Sequence, residues 1–138
     1  KNRKLRDDNL ESALGSYSEV LRKLSLESHD HNDQLINMLR RNCYMMQGDV
    51  LFQLRRYAEA RSAYANVSTL YQHEPFVLES FVRIANCWHR LNQPVNARQT
   101  VAQAKLLLDR LPKDLNYKES TNFSRQQWGL LLDEMAKW

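Results

Sequence analysis

At 138 residues the chain is the size of one ordinary domain, and its 43% hydrophobic and 26% charged residues are enough to fold around a core. Three Gly and three Pro are too few for the many tight turns of an all-β protein, so helix is favoured from the outset. The net charge of +4 comes from 20 basic and 16 acidic residues interleaved along the chain, which points to a mixed solvated surface rather than a dedicated anion-binding stripe.

In chain order, Asp7-Asp8 predicts a helix start by capping and by complementing the helix dipole. Leu10, Ala13, Leu14, Tyr17, Val20, Leu21 and Leu24 then form one apolar stripe. Glu27 to Asn32 breaks it with polar, turn-forming residues, and Asp33 caps a long helix that runs to about Leu54. Arg55-Arg56 makes a tight connection, after which Tyr57, Ala60, Ala63, Tyr64, Val67, Leu70 and Tyr71 supply the next stripe. Pro75 is read as the first position of another helix, to Leu91, and Asn92-Gln93 as the turn before a helix that Pro94 opens and Leu111-Pro112 closes. Residues 113–121 read as an irregular connector. Ser124 with Gln127 is a capping box, followed by a last helix with Trp128, Leu131, Leu132 and Met135 on one face.

Sliding the sequence by 37 residues brings Leu54 onto Leu91, Ala60-Arg61 onto Ala97-Arg98, Pro75 onto Pro112, Tyr44 onto Phe81, and Gly48 onto the equally small Ala85. Such a period marks a stack of helix pairs, each burying its apolar face against its neighbours. In the first unit Tyr44, Gly48, Leu51, Ala60, Tyr64 and Val67, and in the second Phe81, Ile84-Ala85, Trp88, Ala97, Val101 and Ala104, stand where the tetratricopeptide repeat places its aromatic and small packing residues. The chain resembles that family over roughly residues 8–112. Gln47 departs from the pattern where Leu is usual, and the closing Pro falls three residues late in both units. Ala13, Ser16, Tyr17 and Val20 echo Ala60, Ala63, Tyr64 and Val67, which suggests the second helix of a truncated repeat. The longer units are similar to those of outer-membrane assembly lipoproteins and periplasmic cell-division coordinators, which implies a bacterial envelope setting; composition leaves the cytoplasm open.

The resemblance implies an all-α, right-handed α-α superhelix in one domain: a partial repeat helix at 8–26, repeats at 33–75 and 76–112, and a capping helix at 123–138. It also implies a protein-protein interaction scaffold that binds a peptide or helix of a partner in a groove. The groove positions are Asn42, Met45, Asp49, Phe52 and Gln53 in the first unit and Glu79, Val82, Asn86, His89 and Arg90 in the second. Met45 and Phe52 would give soft apolar contacts there. The same spacing equally lets both pack against the first or the returning last helix. The carboxylate clamp with which the family grips chaperone tails needs Lys and Asn where this chain has Met45 and Asp49, so that tail class is not expected.

Chemistry-bearing patterns are sparse. Ser28, His29, Asp30, His31, Asn32 and Asp33 crowd one polar loop, which reads as a solvated turn rather than a metal site, since a structural metal wants ligands on rigid elements. Cys43 and Cys87 lie 44 residues apart, about two helical turns out of repeat register, so no disulfide is expected. Cys87 and His89 point to different faces of a helix. No phosphate loop, nucleophile elbow or paired metal-ligand motif appears, so neither an enzyme nor a cofactor is expected. Arg98, Lys105 and Arg110 on one helix, with Arg40-Arg41 and Arg55-Arg56, are what a nucleic-acid-binding helical repeat would use, but nearby acids such as Glu59 and Asp109 disfavour that reading. A start at Lys1 is what a processed or excised fragment would show, and the truncated first repeat is what an internal stretch of a longer solenoid would show. No stretch reaches the roughly 18 apolar residues of a membrane span.

Overall fold

The computed structural model describes residues 2–27 and 33–138, and the described residues form seven helices and no strand. These are α1 (Asn2–Glu27), α2 (Gln34–Gln53), α3 (Tyr57–Leu70), α4 (Val77–Arg90), α5 (Pro94–Arg110), α6 (Tyr117–Ser120) and α7 (Arg125–Met135). Each of the first five packs against the next, and α7 returns onto α5.

Helix α1 starts at Asn2, before the Asp7-Asp8 pair expected to begin it, because Arg3, Lys4, Leu5 and Arg6 are good helix formers. Its stripe faces α2, with Leu10, Ala13, Leu14, Tyr17, Leu21 and Leu24 partly buried, but Val20 is turned outward. Polar bonds pin this hairpin: Gln47 Nε2 donates to Ser18 Oγ at 3.1 Å, and Arg56 reaches Glu11 at 3.2 Å. The polar run 28–32 lies outside the described residues; Asp33 caps α2 as expected, its carboxylate accepting from Leu35 N at 3.0 Å and Ile36 N at 3.2 Å.

The two inter-helix turns repeat each other bond for bond. Leu54 N donates to Val50 O, Arg55 N to Phe52 O and Arg56 N to Leu51 O; 37 residues on, Leu91 N donates to Cys87 O, Asn92 N to His89 O and Gln93 N to Trp88 O. Arg55 and Asn92, also 37 apart, both adopt left-handed backbone, with φ of 62° and 57°. Asn tolerates that conformation and Arg does so at a cost, so the conformation is dictated by the helix pair and not by the residue. Gly48 lies under the Tyr64 ring, where an added Cβ would stand 2.6 Å from Cδ1 and 2.8 Å from Cζ. At the equivalent places Ala85 and Val101 share a core cluster, so where the second helix brings a smaller side chain the first can carry a Cβ.

Three local readings need correction. Pro75 does not open α4: it is buried in a turn that winds with three-residue bonds, Val77 N to Glu74 O and Leu78 N to Pro75 O, and the helix starts at Val77. The missing Pro N–H falls in that turn, where it is not needed. Leu70, counted in the α3 stripe, is 56% exposed, because α3 ends there and Tyr71 turns in, its hydroxyl donating to Asn37 O at 3.1 Å. Residues 113–121 are not wholly irregular: α6 forms one turn, with Asn116 Oδ1 accepting from Glu119 N. A single turn has too little periodicity to read.

Two core clusters result. One joins Met45, Leu51, Ala60, Ala63, Tyr64, Val67, Tyr71, Ile84 and Cys87 across α2, α3 and α4. The other joins Leu78, Ala85, Val101, Ala104, Leu108, Tyr117, Trp128, Leu132 and Met135 across α4 to α7. The expected capping box forms, with Ser124 Oγ and Gln127 Oε1 each accepting from the other residue's backbone N–H, and Trp128 Nε1 donates to the buried Thr121 Oγ1 at 2.9 Å.

Candidate interaction groove

Helices α2 and α4 both pack on α3 but meet each other mainly through long side chains, which leaves an open cleft of about 320 Å³ between them. Its walls are Asp49, Phe52 and Gln53 from α2 and Arg83 and Asn86 from α4, with Tyr64 of α3 as the floor. The helical spacing of three and four residues puts Asp49, Phe52 and Gln53 on one side of α2, and likewise Arg83 and Asn86 on α4.

The cleft is electrostatically organised around Asp49. Its carboxylate accepts from the Tyr64 hydroxyl and, at 3.0 Å, from Arg83 Nη1. Burial first, and then the bond to Asp49, hold the Tyr64 proton far above the ordinary phenol range. Glu79, half-buried one turn before Arg83, is pushed up by desolvation, with Arg83 opposing that shift. Higher on α2, Arg41 bonds Glu74 at 2.9 Å while its guanidinium lies 4.1 Å from the centre of the Phe76 ring, tying α2 to the start of α4. At the other end the Arg90 guanidinium lies 5.7 Å from the centre of the Phe52 ring, which packs edge-on to Tyr57.

Of the ten positions expected to line a groove, Asp49, Phe52, Gln53 and Asn86 line this cleft, and Arg90 borders it on Phe52. Glu79 is half-buried beside the Arg83–Asp49 pair. Val82 packs instead against the second core cluster, and His89 faces the Trp138 ring at 5.8 Å between centres. Asn42 is exposed but lies outside the lining residues. Met45 is 5% exposed and belongs to the first core cluster with residues of α3 and α4, so it is buried in the core rather than open in the cleft; its neighbour Met46, 42% exposed, faces outward. One residue turns a helix by about 100°, and α2 can bury Gly48 and Leu51 against α3 only with Met45 inward. Arg83 and Tyr64 were not foreseen as lining residues. The signal for Arg83 is its spacing alone, four residues after Glu79 and three before Asn86 on one side of α4.

Cys87 is wholly buried with its thiol pushed up to about 11 by desolvation, and the half-buried Cys43 thiol is also raised; both are free. Among the described residues no group of three or more His, Cys, Asp or Glu is placed to hold a metal ion, and Asp33 of the polar loop spends its carboxylate on the α2 cap. No helix among those residues is long and apolar enough to cross a membrane. No family model matches the chain, and no curated protein or solved structure matches it either.

Proposed function

We propose that the chain is a right-handed stack of tetratricopeptide-like helix pairs, a protein-interaction scaffold that holds a peptide or helix of a protein partner in the cleft between α2 and α4. The observation that carries this reading is the repetition, 37 residues on, of the same turn hydrogen bonds and left-handed residues. On this reading α2 and α4 are equivalent first helices, and their cleft is the surface that such a stack presents. The lining suits peptide: an aromatic face on Phe52, amide side chains on Gln53 and Asn86 that can both donate and accept, and a fixed charge pair below. The reading assigns no catalysis, and a Cys87 thiol held near 11 is a poor nucleophile at neutral pH.

Selection from a displayed peptide library, followed by titration of an enriched peptide, tests the reading. A Gln53→Arg, Asn86→Arg double variant, altered at an exposed and a half-buried position, should lose at least tenfold in affinity with an unchanged thermal midpoint. Equal affinity for parent and variant would move the contact off the cleft. A second reading, that the stack is an internal piece of a longer solenoid, is favoured by α1, whose side away from α2 is left uncovered. Binding of a random single-stranded oligonucleotide that weakens steeply with salt would instead favour a nucleic-acid-binding repeat.

A further inference from the structure

Helices α3 and α5 both pack on α4 but not extensively on each other, which leaves a second cleft of about 280 Å³ between them. Its floor is the side of α4 that carries Phe81, Ile84 and Trp88, about half a turn around the helix from Arg83 and Asn86 of the first cleft. Arg61 of α3 stands on one wall, and Gln99 and Gln103 of α5 stand on the other. No acid lines it.

Arg61 sets this cleft apart. Four described arginines bury their Nε without an acceptor for it: Arg41, Arg61, Arg83 and Arg125. Three of them engage a terminal nitrogen elsewhere, Arg41 with Glu74 at 2.9 Å, Arg83 with Asp49 at 3.0 Å and Arg125 with Leu108 O at 3.4 Å. Arg61 has no acceptor on any nitrogen among the described residues, although its guanidinium is held 4.6 Å from the centre of the Trp88 ring. A half-buried cation fixed on an aromatic face, with its Nη groups uncommitted, is ready for an anion from outside the chain. We propose that this cleft is a second binding site, which takes an extended acidic segment of a protein partner, its Asp or Glu carboxylate pairing with the Arg61 Nη groups and its backbone lying along Gln99 and Gln103.

Charge complementarity selects a carboxylate. One cation with no acid beside it matches a single negative charge, whereas a phosphate monoester, close to doubly charged at neutral pH, would be left half neutralised. The glutamines select peptide backbone. Both are exposed and carry a donor and an acceptor, and four residues of helix set them about 6 Å apart along α5. An extended chain repeats its backbone groups on one side every two residues, roughly 6.6 Å, so successive like-facing peptide groups meet successive glutamines. The site stands on this geometry and not on the repeat assignment.

Heteronuclear NMR of the Arg61 Nε–H and the Trp88 indole N–H tests it. The blocked pentapeptide Ala-Ala-Glu-Ala-Ala should shift both signals saturably, with a dissociation constant on the order of 1 mM. The same peptide with Gln in place of Glu should bind about tenfold more weakly or worse. Arg61→Gln should lose the Glu peptide, and so should Gln99→Glu, Gln103→Glu, whose two changes lie at exposed positions and should leave the thermal midpoint unchanged. The Gln53→Arg, Asn86→Arg variant should bind it as the parent does, so failure of the first cleft leaves this one standing. Equal binding of the Gln peptide, saturation by acetate alone at the same concentrations, or full binding by the Gln99→Glu, Gln103→Glu variant overturns the proposal. So does a random single-stranded oligonucleotide that displaces the peptide from Arg61 and binds more tightly, which would assign the cleft to phosphate.

Discussion

Gly48 and Gly15 are chemically identical helix residues with opposite physical roles. At Gly48 a Cβ would collide with the ring of Tyr64, a buried side chain held from beyond by Asp49 and unable to swing away. At Gly15 nothing lies within 4 Å of the added atom. Ala gains about 1 kcal/mol over Gly from helix propensity alone, while overpacking a core costs ~1–3 kcal/mol. Gly15→Ala should therefore raise stability by about 0.5–1 kcal/mol, and Gly48→Ala should lower it by up to about 2 kcal/mol despite the same propensity gain. Urea melts of the two variants check the sign; stabilisation by Gly48→Ala would mean that Tyr64 is free to move. The small residue was legible in the sequence from its repeat alignment with Ala85, and Tyr64 as a packing ring, but how closely that ring lies on Gly48 was not, because Tyr64 is sixteen residues away on the next helix.

At the scale of the element, the end of the chain shows how a short connector is made rigid. Thr121 Oγ1 is a junction: it accepts from Trp128 Nε1 at 2.9 Å and from Phe123 N at 3.3 Å, and it lies 2.6 Å from Tyr117 O, to which it donates. Tyr117 in turn sends its hydroxyl to Pro112 O at 3.0 Å. The connector therefore closes over α7 and fixes the one-turn helix α6. Thr121→Val keeps the shape and removes the acceptor, leaving the buried indole N–H without a partner, at a cost of about 1–3 kcal/mol. Thr121→Ser should recover most of that loss. Thermal melts of the two variants discriminate: equal midpoints would mean that the hydroxyl is dispensable and only shape matters. The capping box that starts α7 could be read directly from Ser124 and Gln127, since both groups lie within one turn. The Thr121 junction could not, because its partners meet only after the connector folds.

At the scale of the whole molecule, burial is unevenly shared. No described residue of α1 is fully buried, whereas α4 alone buries Val77, Leu78, Ser80, Ile84, Ala85 and Cys87. Helix α1 touches only α2 extensively, and its pinning contacts, Gln47 to Ser18 and Arg56 to Glu11, are exposed and so add little. Local opening follows buried contact, so α1 should be the long helix with the lowest amide hydrogen-exchange protection and α4 that with the highest. Exchange read by mass spectrometry tests this; protection in α1 equal to that in α4 would show a contact on α1 that the single chain does not supply. Elsewhere Arg61 stacks 4.6 Å from the centre of the Trp88 ring, joining α3 to α4, while the exposed Lys105–Asp133 pair at 2.9 Å links α5 to α7 and adds little.

What the sequence determined by itself is the set of features whose causes are local: helix type from periodicity, the Asp33 and Ser124 caps, the turns at Arg55-Arg56 and Asn92-Gln93, and the 37-residue correspondence between them. Each depends on residues within a turn or two of one another, or on comparing two such stretches. What only the tertiary structure decided is which side of each helix is inside. The same periodicity admits Met45 or Met46 as the outward residue, and the choice falls to Met46 because Gly48 and Leu51 must meet α3. It also decided that Asp49, Tyr64 and Arg83, from three helices, share one site, and that Val82 and His89 do not line it. A helix seen alone has a hydrophobic face but no neighbour, and the rotation that assigns each side chain to core, cleft or solvent is set only when several helices compete for the same buried volume.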